Sequence, residues 1–277
     1  MCIRDREHIK PGNLEDDFDE IKDADWVIEA VVERIDIKHK LYSQIDKVRS
    51  PDSIISSNTS TIPLSILTQE MSDTMKADFC ITHFFNPVRF MRLLEIVETP
   101  TMNKDKMSGL RDFCQNELGK GIVNCNDTPG FIGNRIGVYA MQVAMYEALE
   151  RGLPVEIADA LFGRPLGIPK TGVFGLYDLI GIDLMKDVLA SFKKELQEND
   201  PFMDVVAPHP LVEKLLEKGF NGNKGPGGFY QTTIVDDDEI VKAMNTSDMS
   251  YYDFDKVDLD IARRVEKEGI KALLDDD

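Results

Sequence analysis

No run of apolar residues in this 277-residue chain approaches the ~18–20 that a bilayer-spanning helix needs, and no signal-like apolar segment opens it. Basic side chains are the scarcer charge, 32 against 50 acidic ones, for a formal net charge of −18. Such a field repels phosphate backbones and anionic lipid surfaces, which disfavours a nucleic-acid or peripheral-membrane role. Cysteine is also sparse. Cys2, Cys80, Cys114 and Cys125 form no C-x-x-C pair and sit mostly among apolar neighbours, the pattern of reduced thiols in a cytoplasmic protein and not of a disulfide framework or a zinc site. Four histidines, His8, His39, His83 and His209, show no i, i+4 pairing, so no metal centre is expected. Neither G-x-x-x-x-G-K-[ST] nor G-x-G-x-x-G occurs. The glycine-rich stretch Gly222–Gly228 therefore reads as a turn between late elements and not as a phosphate loop.

What is present suits a folded chain of two domains. The length allows two cores, and 42% apolar with 30% charged residues is a globular balance. Trp26–Val32 is nearly continuous in apolar residues, as a buried parallel strand would be. Ile37, Leu41, Ile45 and Val48 then recur at helical spacing, Ser53–Ser57 and Ala77–Phe84 read as strands, and Leu93–Val97 as another. A helix with Met107, Leu110, Cys114 and Leu118 on one face leads to the strand Gly121–Cys125. Strands separated by helices of this length imply an α/β layer around a mainly parallel sheet.

After Asp127 the strand signals stop. Ile132, Ile136, Tyr139 and Val143 mark a long helix beginning near Pro129, and Met185, Val188, Leu189, Phe192 and Leu196 mark another. Pro165–Pro169 and Pro208–Pro210 break the segments. The reading is an α/β domain over 1–127, an all-helical domain over 128–230, and an extension or linker over 231–277. Fourteen acidic and six basic residues fall between Asp236 and Asp277, a charge run typical of a solvated face or linker.

Chemistry concentrates in Thr82-His83-Phe84-Phe85-Asn86-Pro87, with Glu95 twelve residues beyond His83. His83 ends an apolar strand, where a side chain can project from the carboxyl edge at which open α/β sheets bind ligands. An imidazole titrates near neutrality and suits proton abstraction from an alcohol, provided a partner fixes its tautomer and favours the imidazolium. Glu95 on the next strand could be that partner; a core histidine bonded to a carbonyl is the plainer alternative. Ser57–Thr61 is a cluster of hydroxyl and amide groups after another strand, either oxygen ligands for a substrate or an ordinary turn before the helix at Pro63. Asp127–Arg135 starts the long helix, and Asn134 could point back into an interdomain cleft; a capping sequence with a solvated polar position is the plainer alternative.

Together these segments resemble the 3-hydroxyacyl-CoA dehydrogenase family of NAD-dependent β-oxidation enzymes over roughly residues 11–230. The resemblance rests on Asp25–Glu33, Ser57–Ser60, His83–Pro87, Asp127–Phe131 and Asn134-Arg135, in this order and spacing. Pro11–Asp17 and Leu118–Gly121 are similar to the long branch that also carries an enoyl-CoA hydratase domain. The resemblance implies a Rossmann-type NAD-binding domain followed by an all-α domain, with oxidation of (3S)-hydroxyacyl-CoA to 3-oxoacyl-CoA. It implies His83 as catalytic base, Glu95 as its acidic partner, Ser60 and Asn134 as ligands to substrate oxygens, and Ala30, Glu33, Lys38 and Asn86 along the NAD site. Implied partners are an acyl-CoA substrate and either a second copy through the helical domain or a hydratase domain. Other two-domain β-hydroxyacid dehydrogenases typically use a lysine, against which the His83–Glu95 pair argues. A non-catalytic helical assembly module is the alternative from a different class.

One feature departs from the family. The first βαβ unit with its G-x-G-x-x-G turn and ribose-binding acid is missing, and Met1–Arg6 looks like a translated adaptor scar, so a fragment at both ends is expected. Pyrophosphate binding in this fold depends on backbone N–H groups at that glycine turn. The 277-residue chain by itself is thus expected to bind NADH no more tightly than millimolar. Calorimetric titration checks this, and micromolar binding would overturn it.

Overall fold

The computed structural model describes residues 8–163, 171–235, 238–254, 260–268 and 270–273. The expected break at Pro165–Pro169 and the leading Met1–Arg6 with Cys2 lie outside the described residues. The chain divides into two compact units, Met1–Asn134 and Arg135–Asp277.

In the first unit five strands, β1 (Trp26–Glu29), β2 (Ile54–Ser57), β3 (Phe79–Phe84), β4 (Leu93–Glu98) and β5 (Gly121–Asn124), lie in sequential order. All neighbours are parallel except β3 and β4, which run antiparallel. Side chains alternate across the pleat, so each strand feeds two cores. Ile55, Phe79, Ile81 and Val97 pack with Leu41, Tyr42 and Ile45 of α1 (Ile35–Val48) and with the short helices α2 (Leu64–Leu67) and α3 (Asp73–Ala77). Ile54, Cys80, Leu94 and Ile96 pack with Met107, Leu110 and Cys114 of α4 (Lys104–Asn116). This is the doubly covered sheet that the alternating pattern implies. β1 is the exception to the expectation of a buried strand: it stands at the end of the strand order, and Ile28 is 45% exposed.

Helix α5 (Gly133–Glu150) begins four residues later than Pro129 suggested. Gly130 (φ 71°) and Phe131 (φ 48°) are both left-handed, a conformation that cannot continue a right-handed helix. The face of α5 also differs from the reading: Val138, Met141, Ala144, Met145 and Ala148 are buried, whereas Ile136 and Tyr139 are exposed. The helix is apolar on both sides, so periodicity alone had no means of choosing.

The second unit adds α6 (Val155–Leu161), α7 (Phe174–Ile180), α8 (Ile182–Glu195), α9 (Pro210–Glu217) and α10 (Asp260–Glu268). Met185, Leu189 and Phe192 of α8 enter a core with Phe174, Tyr177 and Phe229. Gly222–Gly228 does form a turn, closed by the bridge Gly222↔Gly227. Strands resume after it. β6 (Tyr230–Val235), β7 (Asp238–Met244) and β8 (Tyr251–Asp253) make a three-stranded antiparallel sheet in the stretch expected as a linker, and Ala243 and Met244 are fully buried.

Two buried aspartates tie this sheet to the helices. Asp178 accepts from the Phe229 N–H (2.9 Å) and the Tyr230 N–H (2.7 Å), and a Cβ on Gly228 would stand 1.9 Å from its Oδ1, so only glycine admits the carboxylate there. Asp159 accepts from the Phe174 N–H (2.7 Å), the Gly175 N–H (2.9 Å) and the Tyr230 hydroxyl (2.9 Å). Burial, only partly offset by these donors, pushes Asp159 up to about 6 and Asp178 up to about 7. Both carboxyls then hold protons in the folded chain at pH values where the unfolded chain has released them. Their contribution to stability is full below the ordinary value of 3.8 and is lost as pH rises through about 7. Asp178→Asn should flatten this part of the stability–pH curve, which melting of both proteins between pH 4 and 8 measures; parallel curves would contradict it.

Candidate active site

The site is built at the carboxyl ends of β1, β2 and β3. The antiparallel register of β3 and β4 sets His83 directly opposite Glu95, and directly opposed residues have side chains within reach of each other. His83 Nδ1 lies 2.7 Å from Glu95 Oε2, and both residues are buried. The other imidazole nitrogen, Nε2, lies 3.1 Å from Ser60 Oγ, in the loop after β2. An ionised Glu95 takes the Nδ1 proton as its hydrogen-bond donor, leaving Nε2 to accept from the Ser60 hydroxyl. Phe85 and Phe131 pack against the ring, with centroids at 4.6 and 5.6 Å, which limits its rotation.

Glu95 has further partners. Its Oε1 accepts from the Ile132 N–H (2.9 Å) and the Gly133 N–H (2.6 Å) at the start of α5, and the Cys125 thiol stands 3.7 Å away. Burial pushes the Glu95 carboxyl upward, but His83 and the two backbone donors outweigh it and hold the group below its ordinary value. The anion is the stable form. Cys125, half-buried beside that anion, is pushed up to about 11 by desolvation and by the Glu95 charge and stays a thiol.

Asn134 follows Gly133 in the first turn of α5 and is half-buried. Asn86 is exposed, three residues beyond His83. Ala30 and Glu33 are exposed just past β1, with the apolar Val32 60% exposed between them. Lys38, by contrast, has no exposed surface: its Nζ lies 2.7 Å from Glu29 Oε1 and 3.2 Å from Glu33 Oε2. These two carboxylates take two of its three N–H donors.

A nicotinamide fits the donor set beyond β1. The exposed side chains there are the small Ala30, the apolar Val32 and the polar Glu33 and Asn86, a mixture that would suit a planar, partly polar ring. Among the described residues no group of three or more His, Cys, Asp or Glu could hold a metal ion.

The sequence reading missed two contributors. Glu29, buried at the end of β1, accepts from Lys38, the Tyr42 hydroxyl (2.6 Å), the Ser57 hydroxyl (2.7 Å) and the Val31 N–H (2.7 Å). A charged residue inside an otherwise apolar strand was the available signal. Asp127, read as part of the cap of α5, instead caps α2, accepting from the Leu64 N–H (2.5 Å) and the Ser65 N–H (2.9 Å). No local pattern reports a contact that long in sequence.

Comparison with known proteins finds two family matches along the chain. Residues 4–128 match the NAD-binding domain family of 3-hydroxyacyl-CoA dehydrogenase, and residues 130–232 match the C-terminal domain family of the same enzyme. A Rickettsia felis protein provisionally assigned as the trifunctional enzyme of a fatty acid oxidation complex is 42% identical over 248 residues, which is 90% of this chain and 34% of that protein. Mitochondrial hydroxyacyl-coenzyme A dehydrogenase of Rattus norvegicus is 34% identical over 76% of this chain and 65% of its own length. The crystal structure of 3-hydroxybutyryl-CoA dehydrogenase from Escherichia coli K12 superposes with a TM-score of 0.67 at 30% identity, covering 78% of this chain and 44% of that one. The chain thus spans about a third of the length of the first curated relatives it matches.

Removing the Glu95 carboxylate strands the His83, Ile132 and Gly133 donors. Glu95→Ala should cost roughly 3–5 kcal/mol, as loss of one partner from a buried pair does, in chemical denaturation. Because its folded value is depressed, the Glu95 contribution is present above the ordinary 4.5 and lost as pH falls through the folded value. Glu95→Gln should lack that acid-side loss, and retention of the full loss would contradict the assignment.

Proposed function

Because this chain belongs to the 3-hydroxyacyl-CoA dehydrogenase family, we propose that the protein oxidises (3S)-3-hydroxyacyl-CoA to 3-oxoacyl-CoA with NAD in fatty-acid β-oxidation. One observation carries the reading: Ser60, His83 and Glu95 form a continuous hydrogen-bonded line, 3.1 Å and 2.7 Å, at the sheet edge. In this reading His83 Nε2 takes the proton of the C3 hydroxyl. Nicotinamide, when bound, supplies the acceptor for the hydride that leaves C3 with its electron pair, and the carbon–oxygen double bond forms. Glu95 holds the imidazole in the tautomer whose Nε2 is free to accept, and its anion stabilises the imidazolium that results. Ser60, next to Nε2, and Asn134, at the start of α5, ligate substrate oxygens. Ala30, Glu33, Lys38 and Asn86 line the cofactor site, Lys38 from its buried place behind Glu33.

The same reading assigns residues 1–127 to NAD binding, 128–230 to substrate binding and dimerisation, and 231–277 to an extension. Two supports favour an enoyl-CoA hydratase activity on the same polypeptide: the trifunctional assignment of the R. felis relative and its much greater length. A second copy of the chain is the other candidate partner for the helical unit. No helix among the described residues is long and apolar enough to cross a membrane, and a cytoplasmic location accords with the reduced-thiol pattern of Cys80, Cys114 and Cys125.

The test is NADH formation from 3-hydroxybutyryl-CoA by the intact gene product and its His83→Ala variant. General-base catalysis contributes about 10²–10⁴-fold. The variant should lose about that much kcat with NADH affinity little changed; more than half of the wild-type kcat would refute the role of His83.

A further inference from the structure

Glu33 and Lys38 do more than face a cofactor. Glu33 Oε1 accepts from the Thr59 hydroxyl, the Ser60 N–H (3.1 Å), the Thr61 N–H (3.2 Å) and the Thr61 hydroxyl (3.2 Å). A single carboxylate oxygen therefore collects four donors from three consecutive loop residues. Its other oxygen meets Lys38, whose ammonium is wholly buried between Glu33 and Glu29. A buried ammonium is tolerated only when paired, and Glu29 is itself fixed by Tyr42 and Ser57. The ammonium therefore has one rigid anchor, Glu29, and one outward partner, Glu33. Burial pushes the Glu33 carboxyl upward, yet Thr59, Lys38 and Thr61 together hold it below its ordinary value, so it grips the loop as an anion. On the far side of the same loop Asp127 holds the Leu64 and Ser65 N–H groups. Ser60 lies between these two carboxylates, 3.1 Å from His83 Nε2.

We infer that Glu33, set by the buried Glu29–Lys38 pair, is a positioning residue for Ser60. It clamps the 59–61 loop so that the Ser60 hydroxyl is held at the histidine. This goes beyond a cofactor-lining role, and it rests on the reading above only in taking His83 as the reacting group. One carboxylate would then serve both sides of the site, as a cofactor-lining group in the reading above and, through its hydrogen bonds to the 59–61 loop, as the fixture of the substrate side. Glu33 lies outside the hydrophobic cluster of this unit, and Glu29 still pairs the buried Lys38 when Glu33 is replaced. Ile55, Phe79 and Ile81 are packed by α1 and α2, so a change at Glu33 should stay local.

The experiment uses the 277-residue chain and needs no turnover. Amide hydrogen exchange is followed by NMR in the wild type, Glu33→Gln and Thr59→Val, together with the ¹⁵N signals of the His83 ring. A neutral amide oxygen replaces the anion in Glu33→Gln, and a neutral acceptor holds a hydrogen bond less strongly than a charged one. Exchange at Ser60 and Thr61 should therefore rise about tenfold or more, with Ile55–Ser57 of β2 unchanged and the Nε2 signal shifted as the Ser60 contact loosens. Thr59→Val removes the hydroxyl that donates to Glu33 and accepts from the Ile62 N–H (3.0 Å), keeps the carboxylate, and should give a smaller rise at Ser60 and Thr61 beside a separate rise at Ile62; it also keeps the test open should Glu33→Gln fail to fold. Unchanged exchange at Ser60 and Thr61 in both variants, or a rise spread evenly through β2, would overturn the clamp. None of these signals depends on dehydrogenase activity, so the clamp can fail while the proposed reaction stands, and the reverse.

Discussion

A carboxylate buried in a protein must be met by donors or it will not stay ionised, and Glu95 shows what that requirement does to a fold. It sits at no measurable exposure in the middle of β4, flanked by Leu94 and Ile96, whose side chains go to the α4 core. Its own side chain points to the opposite face, where three donors converge: one imidazole nitrogen and two backbone N–H groups. To bring them there, β3 must run antiparallel to β4 in one register only. The chain after β5 must also turn through the left-handed Gly130 and Phe131 so that Ile132 and Gly133 present their N–H groups. A slip of one residue in the strand pairing would move His83 to the other face of the sheet.

The same device recurs. Glu33 collects the 59–61 loop, Asp127 the start of α2, Asp159 the start of α7, and Asp178 the entry to β6. In each case a short acidic side chain satisfies backbone N–H groups that no helix or strand ladder pairs. The strongly acidic composition is thus partly structural, because several of its carboxylates replace backbone acceptors at chain reversals. The protonation of these groups divides by environment. Where a cation or a rich set of donors is present, as at Glu33 and Glu95, the anion is favoured; where burial dominates, as at Asp159 and Asp178, the proton is retained to higher pH.

Within the site the hierarchy of rigidity follows the hydrogen bonds. His83 is held by Glu95 and by two aromatic rings. Ser60 is held through its backbone, which leaves its hydroxyl to serve Nε2. Lys38 is wholly buried and held by two carboxylates. A site of this kind needs little rearrangement to present a proton acceptor to an alcohol, and its ordering cost is met when the chain folds.

The sequence by itself determined the class of fold in the first unit, since strand and helix periods differ and alternation within β2–β4 shows both faces apolar. It also singled out His83 and Glu95, because two polar residues inside adjoining apolar strands are costly unless they meet. The face of α5 that enters the core was not legible, for a helix apolar on both sides carries no preference until its neighbours are placed. Nor was the burial of Lys38, whose flexible stem would as readily reach solvent, or the sheet β6–β8 in a stretch that composition marks as solvated. Only the tertiary structure joined Ser60 to His83, Glu33 to the 59–61 loop and Asp127 to α2. Those contacts span some 23 to 63 residues, and a hydrogen bond of that range is fixed by strand order and register, which no local pattern of residues records.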